Sequence, residues 1–147
     1  MDRNDVISTL DDLIETSRDG EDGFRTCAEN VKNPALKTFF EQKAERCREA
    51  VVQLQHIVRE MGAEPERGNS TAGAMHRFWV KIRGTLSGMD DHAILDECER
   101  GEDVAKRAYE KALGQDLPGD VRSVIERQYA GVRANHDRVR EMRNATA

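Results

Sequence analysis

The sequence predicts an all-α protein, a four-helix bundle built from two tandem helical hairpins. Charged residues make up 35% of the chain and aromatic residues 5%, a composition typical of long solvated helices. Apolar residues recur at steps of three and four along four long segments, and Gly20-Glu21-Asp22 recurs in register as Gly101-Glu102-Asp103. Two hairpins that each carry one apolar stripe bury these stripes most economically against one another.

The first hairpin is expected at residues 5–61. Its first helix spans about residues 5–31, with apolar seam positions from Leu10 to Val31 at heptad spacing and Glu21 on that seam. Asn33-Pro34 breaks this helix, the second helix runs over about residues 35–61, and Gly62 has the features of its C-terminal cap.

A crossover segment at residues 63–88 has no counterpart in the repeat. Residues 63–69 are expected to form a loop, after which Ser70-Thr71 caps a fifth helix of about residues 71–87. A helix of this length can cross the whole bundle between helices two and three, which is the ferritin-like connection. Its apolar face comprises Met75, Phe78, Trp79, Ile82 and Leu86.

The second hairpin is expected at residues 90–143. Its helices span about residues 90–113 and 120–143, with Glu102 on the seam of the first and His136 on the seam of the second. The chain of 147 residues therefore forms a single domain, residues 1–147.

Charge and composition exclude several classes of function. The formal net charge of −5 opposes nucleic-acid binding, which needs a basic face. No segment approaches the ~20 apolar residues of a membrane span, and the N-terminus lacks a basic and then apolar signal region, so a cytoplasmic location is expected. The 3 cysteines show neither zinc-ligand spacing nor an even number. Cys47 and Cys98 lie on apolar stripes and are expected to be small buried core residues.

Two carboxylates on the predicted seams, Glu21 and Glu102, carry the candidate chemistry. A buried carboxylate must be protonated, hydrogen-bonded, paired with a cation or bound to a metal. Ferritin-like di-iron and di-manganese proteins combine such glutamates with Glu-x-x-His pairs, and no Glu-x-x-His occurs in this chain. No cofactor is therefore expected. Iron or manganese is the alternative, with Glu41, Glu126 and His136 as weaker candidate ligands.

A structural role for the two glutamates is the other interpretation. Folding the second hairpin around residues 115–116 puts Glu102 level with Tyr129, whose hydroxyl, with that of Tyr109, could donate to it. Glu21 would then take a proton or a cationic partner from the bundle rim. His136 is interpreted as a hydrogen-bonded structural residue, with metal ligation as the alternative.

The apolar face of the fifth helix must cover either the bundle or a second subunit. We expect a homodimer through this crossover helix, centred on Trp79. The alternative is a monomer in which Trp79 is buried on its own bundle. Partners among nucleic acids and membranes are not expected.

Several segments closely resemble a bacterial family of uncharacterised ferritin-like four-helix-bundle proteins, classed as a domain of unknown function. The resemblance is carried by residues 71–79, 94–103 and 126–129 and by His136-Asp137-Arg138. It implies the ferritin-like fold and a bacterial cytosolic setting, and kinship with ferritin-like stress proteins implies a role in stress tolerance. The function that follows is a non-enzymatic bundle acting through oligomerisation or partner contacts. The alternative is a carboxylate metal-binding protein with a redox or storage role.

Overall fold

The computed structural model describes residues 1–65 and 73–145, and within them it is helical, without strands. The short segment Leu86–Gly88 forms a 3₁₀ helix. The all-α prediction is confirmed, and the predicted capping residues Ser70 and Thr71 lie outside the described residues. None of the helices in this part of the chain has the length and apolar character needed to span a membrane. The α-helices are α1 (Arg3–Asn30), α2 (Pro34–Glu60), α3 (Ala74–Arg83), α4 (Asp91–Leu113) and α5 (Gly119–Ala145).

The ends of α2 follow from local chemistry. The side chain of Asn33 accepts a hydrogen bond from the backbone N–H of Ala35 at 2.8 Å and so caps the start of α2. At the other end Gly62 has φ of 83°, and its N–H donates to the carbonyl of Arg59 at 2.9 Å. This left-handed residue closes the helix, so the predicted Gly62 cap is confirmed.

Two antiparallel helix pairs, α1 with α2 and α4 with α5, build the bundle, and α1 also packs against α4. The Asp91 carboxylate at the start of α4 accepts hydrogen bonds from the backbone N–H groups of Lys32 and Asn33, just after α1 ends. Thr9, near the start of α1, donates to Gln115 beyond the end of α4. Helices α1 and α4 are therefore antiparallel.

The α2 and α5 helices touch at few points, whereas α3 packs against both α1 and α4. One side of the bundle is thus covered by the crossover helix and the opposite side is left open. The apolar core divides into two clusters along the bundle. One includes Phe24, Phe40, Trp79, Leu86 and Ile94, and the other includes Leu10, Leu13, Leu54, Val58 and Ile125.

Trp79 of α3 is inserted between α1 and α4 and is 1% exposed. A Cβ on Gly23 would lie 2.1 Å from Trp79 Cε2, and one on Gly101 would lie 2.9 Å from Trp79 Cζ2, so both positions require glycine for this close approach. The Phe24 ring meets the indole edge-on, with a centroid distance of 5.4 Å. The expected centre of the dimer contact is therefore buried within its own chain, and the dimer stays a prediction.

Candidate functional site: a central cavity with a buried ion pair

Lys43 of α2 and Glu102 of α4 form an ion pair inside the bundle, between Lys43 Nζ and Glu102 Oε1. Each side chain is only 3% exposed. Lys43 Nζ also lies 4.4 Å from the centre of the Phe24 ring and 5.8 Å from that of Phe39, distances at which a cation is attracted by the ring faces. Burial lowers the pKa of Lys43 from its ordinary value. The ammonium group is thus held by one carboxylate and two aromatic rings.

Sequence reasoning missed Lys43. The spacing of residues along α2 could have indicated that Lys43 faces the core. It comes three residues after Phe40 and four before Cys47, on the heptad seam of this helix. A lysine, however, is rarely fully buried without a partner, so the residue pattern alone does not predict a buried lysine here. The structure buries both Lys43 and its neighbour Ala44.

The ion pair lines a cavity of about 200 Å³ enclosed by all four long helices. Its polar wall includes Ser17 and Tyr109, and the Tyr109 hydroxyl donates to Gln128 Oε1 at 2.8 Å. Burial raises the pKa of Tyr109 to about 12, so the phenol stays protonated. The apolar wall includes Phe24, Met75, Ala105 and Val132.

The cavity opens between α2 and α5, where two side-chain bridges flank it. Arg46 Nη1 donates to Asn135 Oδ1 at 2.9 Å, and Gln128 Nε2 donates to Gln53 Oε1 at 2.9 Å. The cavity is also lined by Ala50 of α2 and Gly131 of α5. A Cβ on Gly131 would meet no atom within 4 Å, so the opening has room for a side chain or a ligand.

A second cavity, of about 250 Å³, lies along the same seam. It shares Lys43, Arg46 and Asn135 with the central cavity and adds Arg138. The guanidinium of Arg138 stacks over the Phe39 ring at 5.6 Å. The seam between α2 and α5 is therefore a continuous groove with cationic side chains along it.

The thiols of the bundle interior, Cys27, Cys47 and Cys98, are free. Burial raises the pKa of Cys47 to about 11 and that of Cys98 to about 12, and it also raises that of Cys27. A thiol is nucleophilic only as the thiolate, so these groups are unreactive near neutral pH. The prediction of a small buried core residue is confirmed for Cys98, whereas Cys47 is only partly buried; Cys27 is buried as well.

Glu21 and Glu102 occupy different environments. Glu102 is buried as predicted, whereas the Glu21 side chain is 21% exposed and lies 2.8 Å from Arg25 Nη2. The predicted cationic rim partner of Glu21 is confirmed, and its seam position is wrong because Gly20 takes the buried place. The central cavity is lined by Glu102 and not by Glu21.

The expected hydrogen bond from Tyr129 to Glu102 is wrong. Tyr129 Oη donates to Glu110 Oε2 at 2.7 Å, about two helical turns further along α4. Residues 114–118 are not helical, and they carry the chain past the end of α4 before α5 begins. The α5 helix is therefore shifted along α4 relative to the register predicted by folding at residues 115–116.

The weaker metal candidates are also separate from one another. Glu126 is exposed and lies 3.9 Å from Arg122, and Glu41 is exposed on α2. His136 is 4% exposed, with its Nε2 2.6 Å from Asp103 Oδ1, which agrees with its interpretation as a structural residue. Across residues 1–65 and 73–145, no three or more His, Cys, Asp or Glu residues are grouped so that they could hold a metal ion. Metal binding stays a prediction.

Comparison with known proteins identifies a family but no activity. The family model described as Domain of unknown function (DUF2383) matches residues 5–115, which include α2 to α4, all of α1 but its first two residues, and both members of the buried ion pair. No curated protein matches the chain. The ferritin-like and bacterial aspects of the predicted family stay predictions. Because the match covers most of its length, the chain belongs to the DUF2383 family.

Proposed function

We propose that this protein is a non-enzymatic binding protein whose helical bundle holds a small molecule in the central cavity. The observation that carries the proposal is the cavity of about 200 Å³ with Lys43 and Glu102 in its wall. Ligand sites are typically apolar concavities with a few placed polar groups, and they occur between the helices of bundles. The apolar wall around this ion pair has that composition.

The arrangement of polar groups supports binding more than catalysis. Lys43 is held by the Glu102 carboxylate, and the raised pKa of Cys47 keeps the thiol that lines the cavity protonated. Nucleophilic catalysis needs an activated group beside a base. The buried ion pair contributes little to stability compared with apolar residues of similar volume, which is consistent with a role in recognition.

The experiment uses three probes with the same apolar body, namely hexanoate, hexan-1-ol and hexylamine. Binding is measured from chemical-shift changes of the backbone amides. We expect at least one probe to bind, with the changes centred on Ala105, Gly131 and Val132, which line the cavity.

A matched pair of variants locates the binding. Gly131→Leu adds a side chain to the lining of the cavity at a position where a Cβ would meet no atom within 4 Å, and Ala130→Leu enlarges the side chain at an exposed neighbouring position. We expect Gly131→Leu to weaken binding about tenfold or more and Ala130→Leu to leave it unchanged. Absence of binding by all three probes, or equal binding by both variants, would contradict the proposal.

Oligomerisation is a second proposal, made for the outer face of α3. Val80 on this helix is 57% exposed, while Trp79 faces the bundle. We propose a homodimer through this face, and light scattering over a concentration series should show a dimer that Val80→Lys dissociates. A wild-type chain that stays monomeric at high micromolar concentration would end this proposal.

The alternative of a bundle with iron or manganese requires a metal to compete with Lys43 for Glu102. Metal analysis of protein purified without an affinity tag, followed by addition of Fe(II) or Mn(II), tests it. Bound metal that Glu102→Gln abolishes would favour this alternative. A role in stress tolerance rests on the resemblance alone and is proposed on that basis.

A further inference from the structure

We infer that the ligand of the cavity is a small organic acid, with its anionic group at the groove between α2 and α5 and its apolar part inside the bundle. This inference rests on the proposed binding function and names the chemical class of the ligand. Its basis is a set of arginines along the groove that have no carboxylate partner.

Arg46, Arg127 and Arg138 line the two cavities of the groove. Arg46 is hydrogen-bonded to the neutral side chain of Asn135, and Arg138 lies over the Phe39 ring. Within the described part of the chain, none of these three arginines forms an ion pair with a carboxylate. Six arginines outside the groove, by contrast, are paired with Asp or Glu, namely Arg25, Arg48, Arg100, Arg122, Arg140 and Arg143.

The groove is cationic although the chain is acidic, with a net charge of −5. Glu102 neutralises Lys43 inside the bundle, and Glu49 is the other carboxylate among the residues that line the central cavity. The guanidinium groups of Arg46 and Arg127 thus outnumber the remaining carboxylate. Guanidinium groups bind carboxylate and phosphate oxygens in a two-pronged geometry.

The apolar and charged parts of the site are arranged from inside to outside. Phe24, Met75 and Ala105 lie on the buried wall, since each is nearly inaccessible to solvent, whereas Arg46 and Arg127 are exposed. A ligand with an acid group at one end and a short apolar body would therefore match both parts of the site, the exposed arginines and the buried apolar wall. A cationic end group would face the arginines, and a neutral one would leave them without an anionic partner.

Matched probes and variants test the inference. We expect hexanoate to bind about tenfold or more tightly than hexan-1-ol, and hexylamine to bind most weakly. Arg46→Gln and Arg127→Gln should each weaken hexanoate binding several-fold and leave hexan-1-ol binding unchanged. Arg59→Gln, which removes the same charge from an exposed position on α2 outside both cavities, should change neither.

Two further probes distinguish the source of the acid group. Hexyl phosphate that binds more tightly than hexanoate would assign a phosphate ester, and the reverse order would assign a carboxylic acid; both results support an organic acid. Inorganic phosphate that binds as tightly as either would overturn the inference, because the apolar part would then contribute nothing. Equal binding of hexanoate and hexan-1-ol would also overturn it, but would leave the cavity's binding function intact. Failure of all the probes would overturn both.

Discussion

Lys43 and Glu102 face each other across the bundle from α2 and α4, with each side chain 3% exposed. Their charges compensate one another in a region where neither could be left alone without a large desolvation cost. The pair also connects the two hairpins of the repeat. It therefore couples the stability of the fold to the polar wall of the cavity.

Breaking this pair from one side should destabilise the protein strongly. We expect Glu102→Gln to lower the free energy of unfolding by about 3–5 kcal/mol, because the ammonium of Lys43 is left buried and unpaired. The double variant Lys43→Met/Glu102→Leu should recover most of the loss. Urea unfolding measures both. A double variant as unstable as the single one would contradict the role of the pair.

The destabilisation by Glu102→Gln should depend on pH. Burial already lowers the pKa of Lys43 below 10.5 in the folded protein. Between this lowered pKa and 10.5 the unfolded chain binds more protons than the folded one. The free energy of unfolding therefore rises with pH in that interval. Loss of the carboxylate lowers this pKa further. The difference between variant and wild type should therefore shrink as the pH rises from neutral toward the pKa of Lys43 in the wild type. A difference that does not change as the pH rises would contradict the prediction.

The close approach of Trp79 to Gly23 is tested by Gly23→Ala. Because the new methyl group would lie 2.1 Å from the indole, Trp79 must move, at a cost of about 1–3 kcal/mol. Trp79 is the single tryptophan of the chain, and its fluorescence emission should shift to longer wavelength. Gly131→Ala is the control, since nothing lies within 4 Å of the added Cβ. This change should stabilise the helix by about 0.5–1 kcal/mol.

Asp91 connects the start of α4 to the turn between α1 and α2. Its carboxylate accepts from the N–H groups of Lys32 at 2.8 Å and Asn33 at 3.0 Å, so Asp91→Ala should cost about 1.5–3 kcal/mol. Asp90→Ala, which removes only the cap of α4, should cost about 1 kcal/mol. Urea unfolding compares them, and an Asp91→Ala effect no larger than that of Asp90→Ala would argue against the connection.

The buried thiols should make the protein less stable in alkaline solution. The pKa of Cys98 is raised from 9.0 to about 12, so its contribution to stability is complete below 9.0 and is lost as pH rises toward 12. At about pH 10 the loss from one such thiol is about 1 kcal/mol. The decrease in stability between about pH 8 and about pH 10 should be smaller in Cys98→Ala than in wild type, and an equal decrease would contradict this account.

The helices could be predicted from the sequence because the apolar steps and the breaks are local signals. The breaks are marked by Asn33, Pro34 and Gly62, each of which affects only the helix end beside it. The observed ends of α1 and α2 agree with these positions. The shift of α5 could not be predicted in the same way. It depends on how far residues 114–118 carry the chain beyond α4, which the residue pattern does not encode.

The site was predicted only in part. Glu102 was recognised because a carboxylate on a seam is unusual, whereas Lys43 was overlooked although it lies on the seam of α2. The cavity depends on the spacing of α2 and α5, which is a tertiary property. The small residues Ala50 and Gly131 are a weak signal for it, because each also fits an ordinary helix surface.

The most direct test of the binding site is an isotope-filtered NMR experiment on the wild-type chain with hexanoate. We expect nuclear Overhauser effects between the hexanoate chain and the methyl groups of Met75, Ala105 and Val132, all of which line the cavity. At the same hexanoate concentration they should be much weaker in Gly131→Leu and unchanged in Ala130→Leu. Contacts only to methyl groups outside the cavity, or none at saturating hexanoate, would contradict the account.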